Sequence, residues 1–110
     1  MYKVYLISTG ESDRRYKIGF TRNQVEKRVK QFKTGNSSGF IIHGVFESKW
    51  GTKIESTLHR KYMMNRVSGE WFYLDKSDVD GFVDQCKRLH DTFELLTKEN
   101  SWVIETGRFS

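Results

Sequence analysis

Within the first 59 residues stand Tyr5, Lys17, Arg28, Glu55 and His59, side chains whose types could together act on a phosphodiester. A carboxylate such as Glu55 can hold Mg²⁺ or Mn²⁺, hard cations that take oxygen ligands. A bound metal lowers the pKa of its water and polarises a phosphoryl oxygen. Cations at Lys17 and Arg28 would stabilise charge developing on that group. Glu55 and His59 are four residues apart, so a helix would put them on one face. Each residue also has an ordinary reading. Tyr5 can be a sheet tyrosine and Arg28 a solvated charge in Glu26-Lys27-Arg28. Glu55 can complete a capping box, and His59 can pack at a helix edge. No single spacing is decisive; what matters is whether the chain would bring these side chains together.

Tyr2–Ser8 alternates, with Val4 and Leu6 on one face and Lys3, Tyr5 and Ile7 on the other, which predicts a strand. The turn residues Thr9-Gly10-Glu11-Ser12-Asp13 lead to a second strand over Tyr16–Phe20, giving an antiparallel hairpin. Lys17 and Gly19 would share its polar face, and Gly19 implies a close backbone approach or a bulge. Thr21 or Asn23 can cap a helix reaching Phe32 or Lys33, with Val25, Val29 and Phe32 as its apolar stripe and Arg28 off that stripe. Gly35-Asn36-Ser37-Ser38-Gly39 reads as a loop, Phe40–Glu47 as a third strand. The second helix would start at an N-cap Thr52, pair it with Glu55 in a capping box, and bury Ile54, Leu58, Tyr62 and Met63. Ser68-Gly69 breaks the pattern before a short aromatic strand, Glu70–Leu74. Ser77 would cap one long helix whose stripe runs Val79, Phe82, Val83, Cys86, Leu89, His90, Phe93 and Leu96. On that stripe Cys86 reads as buried and inert, and His90 as a packed edge residue. Asn100–Ser110 reads as a tail in which Trp102-Val103-Ile104 can form a short strand. Trp50, Trp71 and Trp102 can be core, interface or base-stacking residues: Trp71 reads as packed beside Glu70 in its strand, and substrate contact is an alternative to packing for the loop residue Trp50.

The chain has 110 residues and reads as a single domain, with an α/β (α+β) fold of helices around a small, mainly antiparallel sheet. Its one cysteine excludes an internal disulfide framework or a cysteine-based zinc cluster and favours an intracellular setting. The apolar runs are too short for a membrane span. Net charge is +5, unevenly spread: residues 1–66 carry fourteen basic and five acidic side chains, residues 67–110 five and nine. A segregated positive charge suits a polyanion, DNA first and RNA second. Lys17, Arg22, Lys27, Arg28 and Lys30 are the cations expected to meet it, with 67–110, apart from Glu70, mostly facing away. A solvated basic surface, or a surface for an acidic protein, is the competing reading.

In order, the segments Val4-Tyr5-Leu6-Ile7, Tyr16-Lys17-Ile18-Gly19, Glu26-Lys27-Arg28, Glu55-x-x-x-His59 and Gly69-Glu70-Trp71-Phe72 resemble the GIY-YIG nuclease superfamily. They are most similar to its phage-associated branch, whose second motif reads Lys-Ile-Gly. The resemblance covers residues 2–75, leaving 76–110 as a C-terminal helix and tail. It implies a three-stranded antiparallel sheet flanked by helices and a metal-dependent DNA endonuclease or nickase using Mg²⁺ or Mn²⁺. By position it assigns water activation to Tyr5, the scissile phosphate to Arg28, the metal to Glu55, and a proton or phosphate contact to His59. The sequence departs at Val4, where a glycine would lead the first motif, and at Lys17, where tyrosine is usual. Lys17 would either favour the Tyr5 phenolate, lowering a pKa ordinarily near about 10, or contact the phosphate. The alternative function is a nucleic-acid-binding module of the same fold with weak or lost catalysis. A protein partner could direct it to its target.

Overall fold

The computed structural model describes residues 1–9, 14–30 and 39–106, excluding the side chains of 26, 29, 30 and 99–106. Strands β1 (Tyr2–Ser8), β2 (Arg15–Thr21), β3 (Ile41–Ser48), β4 (Arg66–Ser68) and β5 (Trp71–Tyr73) form one five-stranded sheet in the order β3-β1-β2-β5-β4. Every neighbouring pair is antiparallel. The sheet thus has two strands more than the resemblance implied. Gly69-Glu70 is the turn of a β4–β5 hairpin, where Gly69 takes φ +52, a left-handed conformation that suits glycine.

Central position explains β1. With β2 and β3 on its flanks, five of its seven residues are buried, so both faces pack rather than one. Val4, Leu6, Ile18 and Phe72 point to the larger core. Helix α2 (Gly51–Lys61) adds Ile54 and Leu58 to it, and Tyr62 at the end of α2 also packs there. Tyr5 and Ile7 point the other way, into a smaller core with Val25 and Phe40. Val25 opens α1 (Val25–Lys30) immediately after Gln24, whose carbonyl receives the Lys27 and Arg28 amides. Thr21 and Asn23 are therefore not its cap: the Thr21 hydroxyl accepts the Asn23 amide in a local turn. The rest of the expected α1 stripe, Val29 and Phe32, lies outside the described side chains, as does the 35–38 loop.

Three helix boundaries differ from the sequence reading. No side chain caps α2; its N-cap is Trp50, and Glu55 is turned inward instead of closing a capping box with Thr52. The box forms one helix later, where Asp75 caps α3 (Lys76–Asp80) and Asp78 reaches back to the Asp75 amide at 3.1 Å. Asp75 also pairs with Arg14, an added tie that Ser77 lacks. The predicted long helix is interrupted at Gly81, and α4 (Phe82–Thr106) continues through the segment read as a tail with a strand. Along α4, Phe82 and Cys86 are buried and Leu89 and Phe93 partly so, whereas Val83 and Leu96 are exposed. Met63, expected in the core, is exposed too, because α2 has given way to a 3₁₀ turn over Met63–Asn65. His90 packs as expected, 2.7 Å from the Ser48 hydroxyl through Nδ1. Trp50 is held by Phe93 and by an indole N–H bond to Glu94 at 3.1 Å, so it serves the α2–α4 junction. Among the described residues no helix is long and apolar enough to cross a membrane.

Cys86 is fully buried, and burial pushes its thiol up to about 12. Since the thiolate is the reactive form, the folded protein should resist a thiol reagent such as DTNB near about pH 8. In concentrated guanidinium it should release one equivalent of chromophore, and fast labelling of the native state would contradict this packing.

Candidate active site

The site begins with a cross-strand pair. Tyr5 on β1 stands opposite Gly19 on β2, and residues so paired project from the same sheet face. A β-carbon at position 19 would lie 2.5 Å from the Tyr5 hydroxyl oxygen and 2.6 Å from the ring carbon bearing it. The ring therefore crosses β2 in the space that any other residue would fill. Gly19 has the close-approach role expected for it, and the approaching group is a side chain.

Beyond that crossing the sheet opens. β5 pairs with β2 only from Arg15–Tyr73 to Lys17–Trp71. At the next residue, the Ile18 amide donates to the Glu70 carbonyl at 3.1 Å, and the Ile18 carbonyl accepts from His59 Nε2 at 2.8 Å. A carbonyl only accepts, so Nε2 carries the proton and Nδ1 is left as the second ring nitrogen. His59 thus takes up the backbone position that a longer β5 would satisfy, and it rests against Phe72 with ring centres 5.0 Å apart. One turn earlier on α2, Glu55 is only 9 % exposed and places Oε1 3.9 Å from His59 Nε2.

Arg28 comes from the opposite direction. Val25 anchors α1 on the Tyr5–Ile7 face, and three residues later the same side of the helix carries Arg28. Its guanidinium hydrogen-bonds the phenol of Tyr5. Tyr5 is 1 % exposed. Burial raises its pKa above the ordinary value, the Arg28 hydrogen bond opposes this, and the negative charges of Glu70 and Glu55 reinforce it. Burial likewise raises the pKa of Glu55, with His59 opposing, Glu70 reinforcing, and Lys17 opposing.

Tyr5, Arg28, Glu55 and His59 are thus brought together. Lys17 joins them differently from the expectation. Its ammonium lies 3.6 Å from the Glu70 carboxylate and 5.9 Å from the centre of the Trp71 ring, and its field acts on Glu55. The Tyr5 pKa is raised, against the lowering expected if Lys17 favoured the phenolate, and Arg28 is the cation hydrogen-bonded to the phenol. Among the expected nucleic-acid contacts, Lys27 is exposed on α1, the Lys30 side chain lies outside the described residues, and Arg22 bonds the Tyr2 hydroxyl at 2.6 Å. Glu70, the candidate that lies outside residues 1–66 and to which no role was assigned, joins the site from the segment expected mostly to face away; its signal was the Gly69-Glu70-Trp71-Phe72 string.

No group of three or more His, Cys, Asp or Glu side chains among the described residues forms a ready metal cage. The donors here are Glu55, with Glu70 close enough to influence it. That set fits Mg²⁺, which is commonly bound by one or two carboxylates, several waters and substrate phosphate. It does not fit a closed structural zinc centre.

A buried tyrosine, an arginine and two glutamates thus meet at one sheet edge of an antiparallel α+β domain. The T5orf172 domain model matches residues 2–87, and the chain belongs to that family. The family is phage-associated and related to nuclease-like folds, consistent with a nucleic-acid-related role. Neither the curated proteins nor the solved structures gave a match.

Two outcomes follow from this geometry. Gly19→Ala should destabilise the fold by about 1–3 kcal/mol, the usual range for overpacking. In a Tyr5→Ala background the same change should cost far less, because the ring it collides with is gone; equal costs in denaturant titrations would show that the two positions are not coupled. For Glu55, the folded-state pKa exceeds the unfolded one, so its contribution is fully present below the unfolded value and is lost as pH rises through the folded value. Glu55→Gln should therefore melt above wild type at neutral pH, and the gap should close on acidification toward about pH 4. A gap that widens on acidification would reverse the sign.

Proposed function

We propose that this T5orf172 domain is a metal-dependent DNA endonuclease or nickase of the GIY-YIG type. The observation that carries the reading is the Tyr5–Arg28–Glu55 grouping: a buried phenol hydrogen-bonded by an exposed arginine, beside a buried carboxylate. A pure binding surface needs lysines and arginines, and a glutamate facing the phosphate would repel it. Glu55, with Glu70 as neighbour, would hold Mg²⁺ or Mn²⁺, which when bound polarises the phosphate and lowers the pKa of coordinated water.

The chain's own residues take the remaining roles. Arg28 donates to the non-bridging oxygens, where charge builds in the transition state. Tyr5 keeps its proton at neutral pH, because burial raises its pKa. It therefore orients the attacking water through its hydroxyl instead of acting as a standing phenolate. His59 is fixed by its Nε2–H bond to the Ile18 carbonyl and offers Nδ1 to receive a proton. Lys17 and Lys27 meet neighbouring phosphates, with Arg22 extending the basic surface. RNA could take the place of DNA on these contacts, and a protein partner could bring the domain to its target.

The raised pKa of Tyr5 is also the observation that favours a second reading, a DNA-binding module with weak or lost catalysis. Supercoiled plasmid separates the two. With Mg²⁺ or Mn²⁺ the wild type should nick it, Glu55→Ala should abolish metal-dependent nicking, and Arg28→Ala should slow it about a hundredfold or more. A salt-sensitive mobility shift without nicking would leave the binding module. Cleavage that persists in Glu55→Ala would place the chemistry elsewhere.

A further inference from the structure

Beside the catalytic group, on the same sheet face, lies a cavity of about 240 Å³ lined by Thr9, Arg15, Val67, Ser68 and Trp71. Its position is fixed by register. Arg15 and Lys17 alternate on β2 and therefore share the face that carries Tyr5. Trp71 pairs with Lys17, and Tyr73 with Arg15. The indole is thus a wall of the cavity while Lys17 lies 5.9 Å from its ring centre, and Lys17 in turn reaches Glu70. Phe40 stacks on Trp71 at 6.4 Å with the rings 28° apart, which holds the indole in place. Tyr73 is half exposed next to Arg15.

We infer that this cavity takes an unpaired nucleobase adjoining the phosphate at Lys17, so that the substrate is DNA carrying a single-stranded segment at the reacting position. The inference rests on the nucleic-acid reading above and specifies its substrate class. Three observations converge on it. The volume is below that of pockets burying a drug-sized ligand and suits one planar ring system. The wall is an aromatic side chain, the partner on which bases stack in single-strand-binding proteins, with basic residues tracking the backbone beside it. Thr9, Ser68 and Arg15 line the same space, residue types that can exchange hydrogen bonds with the polar edges of a base. A base stacked in continuous duplex cannot enter such a pocket without leaving its stack, which a flap, gap or frayed end avoids.

The test uses the full chain in EDTA, so that cleavage plays no part. Fluorescence anisotropy compares a labelled oligothymidine of about eight nucleotides with an abasic tetrahydrofuran strand of the same length and charge. The wild type should bind the oligothymidine at least about fivefold more tightly, the lower bound of one base–aromatic stack. Trp71→Ala should remove that preference and Trp71→Phe should keep most of it. Because Trp71 is half-buried, Val67→Glu at an exposed position provides the second variant; it should also remove the preference in a protein with an unchanged melting curve. Equal binding of the two strands by wild type overturns the inference, as does a preference that survives in folded Val67→Glu. The plasmid assay keeps the two readings apart: nicking without base preference defeats the pocket alone, and base preference without nicking defeats the nuclease alone.

Discussion

The passage of the Tyr5 ring over Gly19 is the constraint from which the rest of the site follows. A phenol on a central strand would ordinarily end between its neighbours' side chains. Here the absence of one β-carbon lets it cross β2 and bring its hydroxyl to the sheet region where β5 has stopped. Everything else converges on that point. α1 brings Arg28 over it because Val25 packs beside the ring. α2 brings His59 and Glu55 to it because Ile18 presents an outward carbonyl that needs a donor. An unpaired backbone carbonyl at a buried edge costs free energy comparable to a lost hydrogen bond, so the His59 contact stabilises the sheet as well as orienting the imidazole.

This dual use explains which parts of the site were legible in the sequence. Tyr5, Lys17 and Gly19 could be placed on one face because strand periodicity is strict, and a two-residue repeat carries side-chain direction without knowledge of neighbours. Glu55 and His59 could be placed together because helical spacing is equally local. What could not be read was the length of β5, and therefore the open edge that His59 fills. Three-residue strands such as β4 and β5 have almost no periodic signal. Their existence depends on the turn at Gly69 and on pairing with β2, contacts far apart in the chain.

The helix starts show the same division. Thr52 and Glu55 have the spacing of a capping box, and Asp75 and Asp78 do too. Only the second pair forms one. The difference is tertiary. Asp75 sits at an exposed corner, where its carboxylate serves both the helix and Arg14. Glu55 is drawn under the sheet edge, where the Ile54 and Leu58 packing of α2 fixes the helix rotation. A burial constraint thus overrides a local preference worth about 1 kcal/mol, and a carboxylate that could have stayed solvated is placed where its charge is costly.

The same logic reinterprets the lysine of the second motif. From the sequence, Lys17 could either favour the Tyr5 phenolate or contact the phosphate. In the fold, the two cations of the site are divided between two acidic groups. Arg28 sits against Tyr5, while Lys17 sits against Glu70 and within the field of Glu55. A lysine is the better choice for the second position: its compact ammonium can face a carboxylate pair, whereas the planar guanidinium of arginine suits bidentate contact with phosphate oxygens. At Glu55 the Lys17 charge opposes the effect of Glu70, though burial still holds the Glu55 pKa above its ordinary value. The acidic half of the chain therefore does not simply face away from the basic half. At Glu70 it reaches the site, where the Lys17 ammonium lies 3.6 Å from the Glu70 carboxylate.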